Sequence, residues 1–169
     1  MFDVILYEPE IPPNTGNVVR LCANTGARLH LIRPLGFQFD DRRLRRAGLD
    51  YHEWVEVRLH RDLAAFLAEI KPARLFAFTT RGACSYHTVA YQPNDALLFG
   101  SETRGWPARV LAGVSPERWL RIPMRTTGRS LNLANAVAVV IYEAWRQRGF
   151  SGASRSGDGA SDVDIDPVD

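Results

Sequence analysis

Leu97-Leu98-Phe99-Gly100-Ser101-Glu102-Thr103-Arg104-Gly105-Trp106-Pro107 reads as a buried strand running into a ligand loop. The apolar run stops at Gly100, a polar loop closes at Gly105, and Pro107 stands where a new helix can start. Open α/β sheets place their sites in such loops, at the carboxyl ends of buried strands. Gly100 and Gly105 lack a Cβ and so permit close backbone approach. The stretch contains no G-x-G-x-x-G and no G-K-[ST], which argues against a dinucleotide fold and a P-loop.

Outward from this loop, apolar strand patterns alternate with helical ones. Strands are expected at Phe2–Tyr7, Arg28–Ile32, Trp54–Leu59, Arg74–Phe78, Ala96–Phe99 and Trp119–Ile122. Pro9, Pro12 and Pro13 predict an extended loop after the first strand, and Asn14 is the expected N-cap of a helix that ends near Gly26. A short basic helix over 42–47, an amphipathic helix over 62–70 and a long helix from Leu131 to Arg148 follow. Gly149 is the expected stop of the last. The alternation predicts an α/β fold with a parallel sheet covered by helices on both faces.

The 169 residues suit one domain, with residues 1–150 as the folded unit and 151–169 as a disordered tail rich in Gly, Ser and Asp. Residues 1–150 carry 20 basic against 14 acidic side chains, and the tail carries Arg155 against five aspartates. A body of net +6 thus precedes a tail of net −4, together the +2 of the chain. Lys71 is the single lysine among 21 basic residues. Arginine grips phosphate bidentately and stacks on bases, so the bias suits RNA, with arginine-rich codon usage as the alternative source. No apolar run reaches the ~20 residues of a membrane span. Met1-Phe2-Asp3 has no leader character, and two cysteines make no disulfide framework. A cytoplasmic protein is expected.

Two further segments carry chemistry. Asn14-Thr15-Gly16-Asn17-Val18-Val19-Arg20 puts Asn14, Asn17 and Arg20 toward one face of a helix start, which suits a phosphate; a capping Asn14 beside a solvated arginine is the competing reading. In Arg129-Ser130-Leu131-Asn132-Leu133-Ala134-Asn135-Ala136, Ser130 or Asn132 can cap the last helix and direct its amides at the neighbouring crevice. That helix is apolar nearly all round over 136–141, so it is either core or pressed on a second subunit. Tyr142 either directs its hydroxyl toward the site or packs as an amphipathic residue. Glu102 either binds a ribose hydroxyl or, the preferred reading, caps backbone amides. His30, His52, His60 and His87 show no metal-ligand spacing, so solvated or locally bonded histidines and no metal are expected. Cys22 falls in a helical apolar pattern and reads as core.

Together the three segments resemble the SPOUT class of S-adenosylmethionine-dependent RNA methyltransferases, in its ribose 2′-O branch. Leu6 to Asn17 and Leu44 to His52 are similar to bacterial members that modify the wobble nucleotide of tRNA. The resemblance covers roughly residues 1–150 and implies a sheet with a C-terminal trefoil knot in a homodimer. It implies a donor pocket of Phe78, Thr79, Gly100, Glu102, Gly105, Ile122, Met124, Ser130, Leu131 and Asn132. It further implies transfer of a methyl group from S-adenosylmethionine to the ribose 2′-OH of cytidine or modified uridine, leucine tRNAs being the expected substrates. Arg20 and Tyr142 would serve catalysis, and Asn17, Arg20, Arg43, Arg46 and Asn135 would contact RNA. The same chemistry on another tRNA or rRNA nucleotide, or a non-catalytic RNA-binding protein of this fold, are the alternatives. Ala134, Trp106 and the run Arg125-Thr126-Thr127-Gly128 depart from the family pattern.

Overall fold

The computed structural model describes residues 1–38, 56–126 and 130–154. The expected basic helix with Arg43 and Arg46, the start of the third strand at Trp54, the 127–129 loop and the tail from Arg155 lie outside the described residues.

Among the described residues seven strands form one sheet: β1 (Asp3–Tyr7), β2 (Arg28–Ile32), β3 (Val57–His60), β4 (Arg74–Phe78), β5 (Cys84–Ser85), β6 (Asp95–Phe99) and β7 (Trp119–Arg121). They lie in the order β3-β2-β1-β6-β4-β7-β5, and every pairing is parallel. β1 and β6 are buried along their whole length, as strands covered on both faces must be. The side chains alternate. Val4, Leu6, Leu97 and Phe99 face helices α1 (Pro12–Thr25) and α4 (Leu133–Gln147), whose Val18, Val19, Cys22, Val137, Val140 and Ile141 complete the larger core. Ile5, Tyr7, Ala96 and Leu98 face the other way, toward Phe66 of α2 (Leu63–Ile70) and Val110 of α3 (Ala108–Ala112).

Most elements agree with the expected ones, and the differences have local causes. Pro12 and Pro13 open α1 rather than delaying it, because a first-turn residue needs no N–H partner, and Ile11 is the N-cap in place of Asn14. Asp62 caps α2 by accepting from the Ala65 N–H at 2.7 Å. The last helix starts at Leu133, two residues later than expected, since Asn132 caps it by accepting from the N–H groups of Ala134 and Asn135. Gly26 and Gly149 end α1 and α4 with positive φ, as expected. The two-residue strand β5 carries no pattern of its own and was not expected.

Two buried carboxylates, Asp3 and Asp95, stand at the amino ends of β1 and β6. Arg28 donates to both oxygens of buried Asp3 at 2.6 and 2.8 Å, and Arg74 does the same to buried Asp95 at 2.8 and 2.6 Å. Two of the histidines are not solvated. His30 lies 3.0 Å from Asp3 and 2.9 Å from His60, both rings fully buried and packed on the edge of Phe66.

Candidate active site

At the opposite ends of the strands the loops after β1, β4, β6 and β7 meet the start of α4 around a cavity of about 690 Å³. That volume suits a ligand of nucleoside-conjugate size. All ten residues expected to form the donor pocket line it: Phe78, Thr79, Gly100, Glu102, Gly105, Ile122, Met124, Ser130, Leu131 and Asn132. The apolar wall is built from Phe78 and Phe99, stacked at 4.6 Å, with Leu111 and Leu133. Thr79, Arg81, Thr103, Arg104 and Ser130 supply polar lining. A ligand with a planar apolar part and a charged polar part fits this division.

The glycine loop holds its own shape. Ser101 and Gly105 exchange backbone hydrogen bonds at 3.3 and 3.0 Å, closing the loop on itself, and Gly105 turns it with φ +62°. A Cβ on Gly100 would lie 2.9 Å from the Gly105 carbonyl, so the close approach foreseen at Gly100 is made to the loop itself. Trp106, the departure from the family pattern, donates its indole N–H to the Phe78 carbonyl at 2.8 Å and packs against Tyr7. It braces the loop after β6 on the end of β4.

The three motif segments are joined by a chain of side-chain hydrogen bonds. Glu102 accepts from the backbone N–H groups of Glu10 at 2.8 Å and Ile11 at 3.2 Å, and from the Asn14 amide at 3.1 Å. Asn14, buried, accepts in turn from the Asn132 amide at 2.8 Å. The Asn132 oxygen caps α4. Glu102 therefore caps amides, the preferred of the two readings, while its side chain also lines the cavity. Asn132, not Ser130, is the cap. Sequence reasoning missed Asn14 as the hub; an amide one turn into a helix reads as a capping or surface group, and its partners lie 88 and 118 residues away.

The remaining candidates among the described residues do not line the cavity. Asn17 and Arg20 are exposed on α1, Asn135 and Tyr142 on α4, and these two helices pack on one another through their buried faces. Tyr142 is 44% exposed with its ring edge-on to Trp145, so it is not a core residue. With Asn135 and Val139 it forms a solvent-facing stripe at helical spacing, preceded by exposed Leu131. Among the described residues no group of three or more His, Cys, Asp or Glu could hold a metal ion, and no helix is long and apolar enough to cross a membrane.

The profile of the SpoU rRNA Methylase family matches residues 1–142. The chain belongs to the SpoU methylase family. A relative from Burkholderia ambifaria, a tRNA (cytidine(34)-2'-O)-methyltransferase, is 64% identical over 156 residues, covering 91% of this chain and all of that protein. A solved structure described as giving insight into the 2-OH methylation of C/U34 on tRNA is 49% identical, covers 89% of this chain and 97% of that one, and superposes with a TM-score of 0.80. The SpoU methyltransferase AviRb from Streptomyces viridochromogenes, solved in complex with the cofactor AdoMet, shares the fold with a TM-score of 0.77 at 23% identity, covering 89% of this chain and 58% of that one. The shared fold accounts for the parallel sheet.

Proposed function

We propose that this SpoU methylase transfers the methyl group of S-adenosylmethionine to the ribose 2′-oxygen of the wobble nucleotide of tRNA, cytidine or modified uridine, with leucine tRNAs as substrates. The observation that carries the reading is the Glu102–Asn14–Asn132 chain, which gathers the three motif segments around one cavity of suitable size. The target nucleotide follows from the Burkholderia relative, which this chain matches from end to end of that protein.

The sulfonium donor supplies an electrophilic methyl group, so the protein's tasks are alignment, exclusion of water and handling of the hydroxyl proton. Phe78, Phe99 and Leu133 offer the apolar wall for the planar half of the donor, and Arg81 or Arg104 reaches its carboxylate. Arg20 contacts the target phosphate or 2′-oxygen and stabilises developing charge; guanidinium holds its proton too tightly to be a ready base. Tyr142 orients the target nucleotide. Asn17, Arg43, Arg46 and Asn135 contact the anticodon region.

The exposed stripe of Leu131, Val139 and Tyr142 supports a homodimer in which each site is bordered by the partner's first-motif helix. One cavity lined by the loops after β4 and β6 together with Ser130–Asn132 suits the trefoil knot that the resemblance implies. Residues 1–150 form the catalytic domain, the acidic tail is accessory, and the enzyme works in the cytoplasm.

The test is incubation with labelled donor and bulk tRNA lacking the wobble methyl group, followed by nucleoside mass spectrometry. Label in 2′-O-methylated cytidine or uridine from the wobble position of leucine tRNAs is the expected result. Label at another nucleotide overturns the target, and a donor complex without any transfer overturns the enzyme.

A further inference from the structure

The loop after β1 and the glycine loop after β6 exchange carboxylates. Glu102 of the second loop accepts from the backbone N–H of Glu10 in the first, as described above. Glu10 returns the contact: its carboxylate accepts from the Thr103 N–H at 3.0 Å, from the Thr103 hydroxyl at 2.5 Å and from the Arg104 guanidinium at 2.8 Å. Arg104 also pairs with Glu8 at 3.3 Å. These contacts hold the Glu10 carboxyl below its ordinary range, with the Thr103 bonds the largest cause. The exchange is reciprocal, and each loop is held by the other's side chain and holds the other's backbone.

The backbone of Glu10 is fixed from the opposite side as well. Gly36, in the turn after β2, donates its N–H to the Pro9 carbonyl at 2.9 Å. A Cβ on Gly36 would stand 2.7 Å from the Glu10 Cα, so the turn is seated against Glu10 with no room for a side chain. Glu10 thus has an immobile backbone and a carboxylate reaching across to Thr103 and Arg104. Both of these line the cavity, whereas Glu10 itself does not.

We infer that Glu10 is a positioning residue for the methyl donor, acting through Thr103 and Arg104 to hold the outer wall of the pocket in its binding shape. The inference rests on the donor-binding reading of the cavity. Without the Glu10 carboxylate, the Thr103 amide loses its acceptor and the Arg104 side chain swings clear. The donor must then order that wall itself when it binds, at the expense of affinity. The transfer step, which depends on groups elsewhere, keeps its rate once the site is full.

The experiment uses the full chain with Glu10→Ala, Glu10→Gln, Thr103→Val and the double variant Glu10→Ala/Thr103→Val. Donor dissociation constants come from calorimetry, and kcat and donor KM from methyl transfer to tRNA. Glu10→Ala should raise donor Kd and KM about tenfold, the scale of one charge-assisted hydrogen bond, while kcat stays within about twofold. Glu10→Gln, whose amide oxygen still accepts from the Thr103 groups but whose amide nitrogen cannot accept from Arg104, should restore part of the loss. Thr103→Val alone should cost about threefold, and the double variant should bind no worse than Glu10→Ala, because the two residues act as one unit. Unchanged donor affinity in Glu10→Ala, a loss that Glu10→Gln does not rescue, additive losses, or a fall in kcat at constant KM would each overturn the assignment. If Glu10→Ala does not fold, Thr103→Val decides: unchanged donor Kd refutes the role. A wild-type protein that binds donor and methylates no tRNA defeats the functional reading instead, and the Kd series still tests Glu10.

Discussion

Replacing Asn14 by leucine tests whether the three motif segments depend on one side chain. Leucine is close to asparagine in shape, so the substitution deletes two hydrogen bonds without opening a large cavity. The bond from the Asn14 amide to the Glu102 carboxylate is charge-assisted and contributes about 1.5–3 kcal/mol; the amide–amide bond from Asn132 contributes about 0.5–1.5 kcal/mol. Asn14 is 6% exposed, whereas Glu102 is half-buried and Asn132 exposed, so water can reach the partners it leaves. Glu102 keeps the N–H groups of Glu10 and Ile11, which softens the loss. The expected destabilisation is about 2–4 kcal/mol, read as a lower urea midpoint at unchanged slope. Asn132→Ala removes the cap of α4 at about 1 kcal/mol, together with the same Asn14 contact. The double variant should therefore fall short of the summed single losses by about 1 kcal/mol. A loss below about 0.5 kcal/mol for Asn14→Leu, or additivity of the pair within about 0.3 kcal/mol, would show that the chain of contacts organises nothing.

Three further expectations follow from other parts of the molecule. Arg20→Ala should lower kcat at least about a hundredfold, the scale of losing one donor to developing charge, with donor Kd unchanged in calorimetry; a matching loss of donor affinity would remove Arg20 from the RNA side. Arg43→Ala with Arg46→Ala should weaken tRNA binding and reduce the salt slope by roughly 0.7–0.9 per lost phosphate contact, and filter binding at several salt concentrations that shows no change makes the basic run structural. His60 is held below its ordinary 6.5 by burial and then by the neighbouring His30 charge. The unfolded chain therefore binds the proton more readily, and this contribution to stability is complete above about pH 6.5 and declines as pH falls. His60→Gln should flatten unfolding midpoints between about pH 7 and 5, and an unaltered slope removes His60 as the cause.

Asp3 governs a lower window. Burial alone would raise its carboxyl, but hydrogen bonds from His30 and Arg28 outweigh that and hold it below its ordinary 3.8. Its stabilisation is present above that value and is lost as pH falls through the lower folded one. At His60 the Glu69 carboxylate acts the other way, favouring the protonated ring, and is outweighed by burial. If His30 donates from Nε2 to Asp3 and accepts at Nδ1 from His60, the remaining His60 Nδ1 faces Glu69 at 3.4 Å with no hydrogen-bond partner.

The sheet was legible because its signals are local: runs such as Arg28–Ile32 and Arg74–Phe78 are short, apolar and bounded by turn residues, and both strands have those bounds. The cavity lining was legible through family resemblance, since spacing alone left Asn14 to Arg20 as a plain helix start. What sequence hid is long-range partnership. Nothing near Ile11 announces that its N–H is satisfied by Glu102, 91 residues on, and so the local sequence points to Asn14 as the cap. Nothing near His30 announces His60 or Asp3, because a buried imidazole pair exists only once β1, β2 and β3 stand side by side. Trp106 read only as a departure, and its use became visible with the Phe78 carbonyl beneath its indole nitrogen.

The Arg28–Asp3 and Arg74–Asp95 latches sit at the far ends of the strands from the cavity. Each joins neighbouring strands of the sheet, β2 to β1 and β4 to β6. Strand alignment is thereby fastened away from the cavity. The loops at the other end are left to diverge in length and character without unfastening the scaffold, so a change of RNA target can be grafted there while the frame stays as it is.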